Sequence, residues 1–280
     1  MKLTKALEKA KGAKKQSSRG SPKRIVPVEH RVTNNNWKPP VYTDSTRVEL
    51  NQEVLLDNRC IGISPDSPEL ESYKVLRTKI QQLTKAKGWN TLMITSADAG
   101  EGKTFTAVNL ALTFARAYNQ TVMLVDCDFR RQSIQKMMGF ESSAGLIDYL
   151  VDGRPLNEFI IWPGIDKLTL ISGGRTFEDS SELLSSPRMK NLVTELKTRY
   201  DDRYIIFDVP PILGNADAMA LTPYVDCVVM VVEEGRSSMS SVKKAVEAIP
   251  REKFLGFVMN RQKGGGSQYK HYYYHQRPVK

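Results

Sequence analysis

Cysteine is scarce in this 280-residue chain: only Cys60, Cys127 and Cys227 occur. Their number is odd and their spacing fits no metal-ligand pattern. This argues against a disulfide framework and fits a reducing cytosol. Long apolar runs are absent too. The longest, Tyr224–Val232, is broken by Asp226, so no segment approaches the roughly 18 apolar residues of a membrane span. The basic N-terminus lacks a following apolar stretch, so no secretory leader is expected. Acids are missing from the two ends. Residues 1–40 hold 11 Lys/Arg against 2 Asp/Glu, a net of +9, and residues 261–280 hold 5 against none. The whole chain carries +10, which leaves the stretch 41–260 at −4. The charge is thus a property of the ends. Only Trp37 and Tyr42 lie near the basic arm as stacking aromatics, so no nucleic-acid partner is expected. Contact with an anionic membrane surface or docking to an acidic partner explains the same charge.

What is present is ordinary globular material. Hydrophobic residues make up 40% and charged residues 26%, which excludes wholesale disorder. The length suits one large domain or two small ones. Residues 1–60 read as a basic, largely flexible segment with few large apolar residues to offset ordering entropy. Within it Leu3, Ala6, Leu7 and Ala10 follow helical spacing. A short amphipathic helix and a solvated basic tail both fit. From about residue 66 the pattern turns regular. Ser67 and Pro68 suit the N-cap and first position of a helix running to about Ala86. Short apolar runs follow at Thr91–Thr95, Val122–Asp126, Leu168–Ile171, Tyr204–Phe207, Cys227–Val232 and Leu255–Met259. They suit parallel strands buried on both faces. Helical patterns at Lys103–Tyr118, Ser181–Tyr200 and Ser238–Ala248 alternate with them. The expectation is an α/β fold, a doubly wound, mostly parallel sheet flanked by helices.

The first strand runs into Ser96-Ala97-Asp98-Ala99-Gly100-Glu101-Gly102-Lys103-Thr104 and then a helix. Small residues let backbone N–H groups face phosphate oxygens, and the helix N-terminus adds partial positive charge. Lys103 would reach the terminal phosphates and the Thr104 hydroxyl would hold Mg2+. Two other strands end in carboxylates, Asp126-Cys127-Asp128-Phe129-Arg130 and Asp208-Val209-Pro210-Pro211. Ligands bind at that end of strands in α/β folds. Asp128 and Asp208 suit a Mg2+ site. Each Asp taken alone equally suits a helix cap or turn.

Together these motifs resemble the bacterial tyrosine kinases, the BY-kinase family of capsule and exopolysaccharide assembly. The likeness covers about residues 66–274 and is nearest to soluble cytoplasmic members linked to exopolysaccharide and exosortase loci. The stretch Ser181-Glu182-Leu183-Leu184-Ser185-Ser186-Pro187-Arg188-Met189 contributes to it. The resemblance implies a P-loop kinase domain over 61–262 that uses ATP and Mg2+. Ala99, Gly100, Glu101, Gly102, Lys103, Thr104 and Phe105 would surround the nucleotide. Lys103, Asp126, Asp128 and Asp208 would be catalytic, with Asp126 positioning or deprotonating the tyrosine hydroxyl. Thr104, Asp128 and Asp208 would organise the metal. Asn260 matches an adenine-contacting Asn, and it equally suits a turn. A family helix motif of ring assembly reads here as Glu71, Lys74 and Arg77, with Lys74 in place of an Arg. An ordinary exposed charged face explains the same residues.

Beyond Gly264-Gly265-Gly266 the segment 263–280 carries Tyr269, Tyr272, Tyr273 and Tyr274, four of the chain's 11 tyrosines. The resemblance makes them autophosphorylation sites that enter a neighbouring subunit; a hydrophobic docking sticker is the other reading. Each phosphate adds about −1.5 to −2, so four would invert the tail's charge. The resemblance further implies a homo-oligomeric ring, a separate membrane-anchored chain-length regulator as activator, a tyrosine phosphatase, and cytoplasmic protein recruited to the inner face of the plasma membrane. The competing class is the partition or septum-site positioning ATPase. Its signature Lys is replaced here by Asp98, and its septum-site members end in a membrane helix rather than a Gly- and Tyr-rich tail.

Overall fold

Each of the six apolar runs forms a strand where the sequence places it. The computed structural model describes residues 45–262 apart from 61, 63–66 and 68. These all belong to the second of the two units into which the chain divides, 39–280. The basic arm through residue 44 and the tyrosine-rich tail lie outside the described residues.

The elements run β1 (Thr46–Arg47), α1 (Gln52–Asp57), α2 (Leu70–Lys85), β2 (Thr91–Ser96), α3 (Lys103–Ala115), β3 (Thr121–Asp126) and α4 (Ser133–Met138). A π turn at Asp148–Asp152 and a 3-10 turn at Leu156–Phe159 lead into β4 (Ile160–Trp162) and β5 (Leu168–Ile171). Then come α5 (Ser180–Ser185), α6 (Pro187–Arg199), β6 (Arg203–Asp208), α7 (Asp217–Leu221), β7 (Cys227–Glu233), α8 (Met239–Glu247) and β8 (Phe254–Asn260). The strands form one sheet in the order β1-β4-β5-β3-β6-β2-β7-β8. All neighbouring pairs are parallel except β4 with β5.

The alternation of side chains along each strand builds two cores. Met93, Met123, Val125, Ile205 and Phe207 face one side, under Met189, Leu192 and Val193 of α6 and Ala245 of α8. Leu92, Ile94, Leu124 and Ile206 face the other, against Leu110, Phe114 and Ile80 of α3 and α2. With helices on both faces, β2, β3 and β6 are buried at every position. This is why their sequences are continuously rather than alternately apolar. Removing a side chain such as Phe207 would cost about 3–5 kcal/mol.

Three local expectations change. The helix read as 181–200 is two helices, because Ser186 is extended, its hydroxyl accepts the Met189 N–H, and Pro187 starts α6. Ser67 does not cap α2. Its hydroxyl donates to the Glu69 carboxylate at 2.5 Å and the helix begins at Leu70. Residues 46–57, which composition assigns to the basic arm, join the domain. β1 pairs with β4, Asn51 caps α1, and Leu55 is buried.

Candidate functional site

The strand order brings three chain segments to one edge of the sheet. β2, β3 and β6 are neighbours, and their C-terminal ends carry the glycine-rich loop, the Asp-x-Asp motif and Asp208. Asp126 and Asp208 are direct register partners on adjacent parallel strands, so two carboxylates lie side by side.

The loop is shaped by two glycines. Gly100 has φ +85° and Gly102 φ +93°, backbone that other residues adopt only with strain. A Cβ on Gly102 would also sit 2.0 Å from Asn260 Nδ2. From Gly102 the chain enters α3 with its first backbone N–H groups free of side-chain caps. Lys103 Nζ donates to Asp128 Oδ2 at 2.8 Å and stands 3.7 Å from Asp208 Oδ1. The Thr104 hydroxyl donates to Asp208 Oδ2 at 2.6 Å. Lys103, Thr104, Asp128 and Asp208 are thus brought together as the sequence suggests. Asp126 is fully buried beside them, with Oδ1 accepting the Asp128 N–H and Oδ2 the Ile134 N–H.

Charge inside this cluster is unbalanced. Burial opposes the Lys103 charge, but Asp208 and Asp128 outweigh it and hold its pKa above the ordinary lysine value. Burial pushes the Asp126 carboxyl well up, and the charge of Asp208 pushes the same way. Asp208 is raised by burial as well, against the pull of Lys103 and the Thr104 hydroxyl. Three buried carboxylates face one ammonium, and Asp208 Oδ1 makes no hydrogen bond. This is a place for a cation. Among the described residues no group of three His, Cys, Asp or Glu could hold a metal by itself. An ion of the Mg2+ kind, which takes one or two carboxylates and completes its shell with phosphate and water, fits such a donor set.

Other expected residues are placed differently. The Glu101 side chain is buried; one oxygen accepts the Asp98 N–H at 2.9 Å and the other accepts from the Ser237 hydroxyl. Glu101 therefore braces the loop. Asn260 Nδ2 donates to the Glu101 carbonyl at 2.9 Å, tying β8 to the loop. The Phe105 ring packs edge-on against Tyr73 of α2, with centroids 6.5 Å apart. Sequence reasoning misses Arg236, whose guanidinium donates to the carbonyls of Ala99 and Gly100, both at 3.2 Å. Nothing in its spacing marks it; only the adjacency of β7 to β2 brings it there. On α2, Glu71 and Lys74 form an exposed ion pair at 3.1 Å. Arg77 turns inward instead and donates to the Thr113 carbonyl at 2.8 Å. Two of the three motif residues share the free face. Tyr269, Tyr272, Tyr273 and Tyr274 lie outside the described residues.

The AAA domain family matches residues 90–253 of the chain. Tyrosine-protein kinase YwqD of Bacillus subtilis (strain 168) is 35% identical over 201 residues, covering 71% of this chain and 84% of that one. Tyrosine-protein kinase ptk of Acinetobacter johnsonii is 28% identical over 81% of this chain, but the match spans only 32% of that longer protein. Among solved structures, the kinase domain of the Escherichia coli tyrosine kinase ETK superposes with a TM-score of 0.64 at 25% identity, covering 80% of this chain and 92% of that one. The septum site-determining protein MinD of Pyrococcus horikoshii shares the fold, with a TM-score of 0.51 at 21% identity, over 64% of this chain and 72% of that one. No helix among the described residues is long and apolar enough to cross a membrane.

Proposed function

Because the chain belongs to the bacterial tyrosine-protein kinases, within the AAA-domain P-loop proteins, we propose that it transfers the γ-phosphate of ATP to tyrosine hydroxyls, first of all those of its own tail. The observation that carries this reading is the junction of Lys103, Thr104, Asp126, Asp128 and Asp208 at one edge of the sheet. In the transfer, the tyrosine oxygen bonds to the γ-phosphorus and the bond from that phosphorus to the bridging oxygen breaks. ADP leaves, and the phenol proton passes to a carboxylate.

The chain's residues divide this work. Backbone N–H groups at the start of α3 receive phosphate oxygens, and Lys103 neutralises charge that builds on the leaving side. In its ionised form Asp126 accepts the phenol proton; burial and the Asp208 charge raise its pKa and with it its basicity. Each of its oxygens accepts one backbone N–H and keeps a second lone pair for the proton. Thr104, Asp128 and Asp208 would hold Mg2+, which when bound supplies charge neutralisation on the terminal phosphates. Asn260 keeps its carbonyl oxygen available for the adenine amino group while its Nδ2 braces Glu101.

The same reading gives the chain a role in capsule or exopolysaccharide assembly. It would act as an oligomer, with the tail of one subunit serving the site of the next and Glu71 and Lys74 at the contact. A membrane-anchored chain-length regulator would act as its activator. Recruitment of the basic arm to anionic lipid and removal of the phosphates by a tyrosine phosphatase complete the cycle. Incubation of the full chain with ATP and Mg2+, followed by phosphoamino-acid analysis, tests the activity. Phosphotyrosine is expected; release of free phosphate without it would favour a positioning ATPase.

A further inference from the structure

Beside the phosphate loop lies a cleft of about 230 Å³, lined by Arg130 and Arg131 after β3 and by Pro210, Pro211 and Leu213 after β6. Both arginines are exposed. Arg130 Nη2 donates to the Glu178 carbonyl at 3.1 Å, which leaves most of its donors free. The Arg131 guanidinium forms no ion pair among the described residues. Leu213 is 42% exposed. The cleft thus offers two guanidinium forks and a set of apolar surfaces.

That combination selects a ligand. A free phosphate would use the forks and leave the apolar surfaces idle. An unmodified tyrosine would do the reverse. An aryl phosphate uses both, because its ring covers Leu213 and the prolines while its dianion takes charge-assisted bonds from the arginines. The carboxylates at the cleft's inner end are Asp98 and Asp128. Asp128 is ion-paired with Lys103. Asp98 disfavours a bare anion and favours one followed by a cation, as Tyr269 is followed by Lys270. The unphosphorylated tail, with four Lys/Arg and no acids, gains nothing from two arginines; a phosphorylated one does.

We infer that this cleft is a phosphotyrosine subsite. It holds a tyrosine that has already been phosphorylated while another tyrosine of the same cluster takes the next phosphate. The inference rests on the tyrosine-kinase reading of the adjacent site. Neighbouring tyrosines one to three residues apart span about 3–10 Å of extended chain, which suits two subsites sharing one cleft. Tail modification would then be processive: slow at the first phosphate and faster after it.

The full chain with Mg·ADP is titrated with N-acetyl-O-phosphotyrosine amide, with inorganic phosphate and with N-acetyltyrosine amide. Phosphotyrosine amide is expected to bind about tenfold more tightly than either fragment, and Arg131→Gln to weaken it about tenfold. Equal binding of inorganic phosphate, or no effect of Arg131→Gln together with Arg130→Gln, overturns the subsite. A second arm follows intact-mass phosphoforms with time in Mg·ATP. The wild-type chain should pass from unmodified to multiply phosphorylated with little singly phosphorylated species, whereas Arg131→Gln should accumulate it. Matching distributions in the two proteins overturn processivity. If no phosphate enters any protein, the kinase reading fails, and the binding arm still decides the subsite.

Discussion

Lys103 Nζ donates to Asp128 Oδ2 at 2.8 Å, with little of either side chain exposed. The phosphate loop and the Asp-x-Asp motif are therefore one electrostatic unit. Lys103→Met removes the sole cation from a group of three carboxylates. Transfer should fall about 10²–10³-fold or more. Stability should fall as well, by about 3–5 kcal/mol at neutral pH if the acids stay ionised. The melting temperature of this variant should lie closest to that of the wild type at low pH, where the orphaned carboxylates can protonate. Parallel melts at pH 5 and pH 8 check this.

Asp126 gives the pH dependence its sign. Its carboxyl is harder to ionise in the fold than in the unfolded chain, because burial and Asp208 both oppose the charge. The folded protein therefore keeps a proton that the unfolded chain releases above its ordinary value of 3.8. The stability this contributes is complete below that value and is lost as pH climbs towards the folded pKa. Asp126→Asn removes the titration. It should lose phosphotransfer yet gain on the wild type in stability as pH rises above the ordinary carboxylate value of 3.8. Urea unfolding across that range measures the gap.

Gly102→Ala tests the loop. Its φ of +93° strains an alanine, and the new methyl would meet Asn260 Nδ2 at 2.0 Å. The strain costs about 1–3 kcal/mol, and the displaced Asn260 releases the Glu101 carbonyl. Nucleotide affinity should fall about tenfold or more, with a milder loss for Asn260→Ala. Titration with a fluorescent nucleotide separates the two.

The α2 motif divides by burial. Arg77→Ala removes a partly buried bond to the Thr113 carbonyl and should cost about 1 kcal/mol in stability. Glu71→Lys breaks an exposed pair and should leave stability within about 0.5 kcal/mol while weakening self-association. Melting curves paired with sedimentation velocity check both. An unchanged melt for Arg77→Ala would return that residue to the assembly face.

The six long strands and the phosphate loop were legible because burial on both faces and glycine geometry leave direct marks in sequence. Lys103, Thr104, Asp128 and Asp208 were legible for a similar reason: each sits at a strand end or helix start. What escaped depends on contacts distant in the chain. Arg236 and Ser237 reach the loop because β7 lies beside β2, and no local pattern encodes that adjacency. β1 has only two residues and β4 three, too short for a periodicity to register. Glu101 and Arg77 were legible as charges, but the direction each side chain takes follows from packing. Ser186-Pro187 did carry its signal: a cap followed by proline in a continuous helical pattern marks a new helix start.

The proposed activity of this site is phosphorylation of the tyrosine tail. Its most direct measurement is mass spectrometry of the C-terminal peptide after the full chain is incubated with Mg·ATP, beside the Lys103→Met chain. Phosphate on one or more of Tyr269, Tyr272, Tyr273 and Tyr274, absent from Lys103→Met, is the predicted result. ATP consumption by the wild-type chain with an unmodified tail would contradict it.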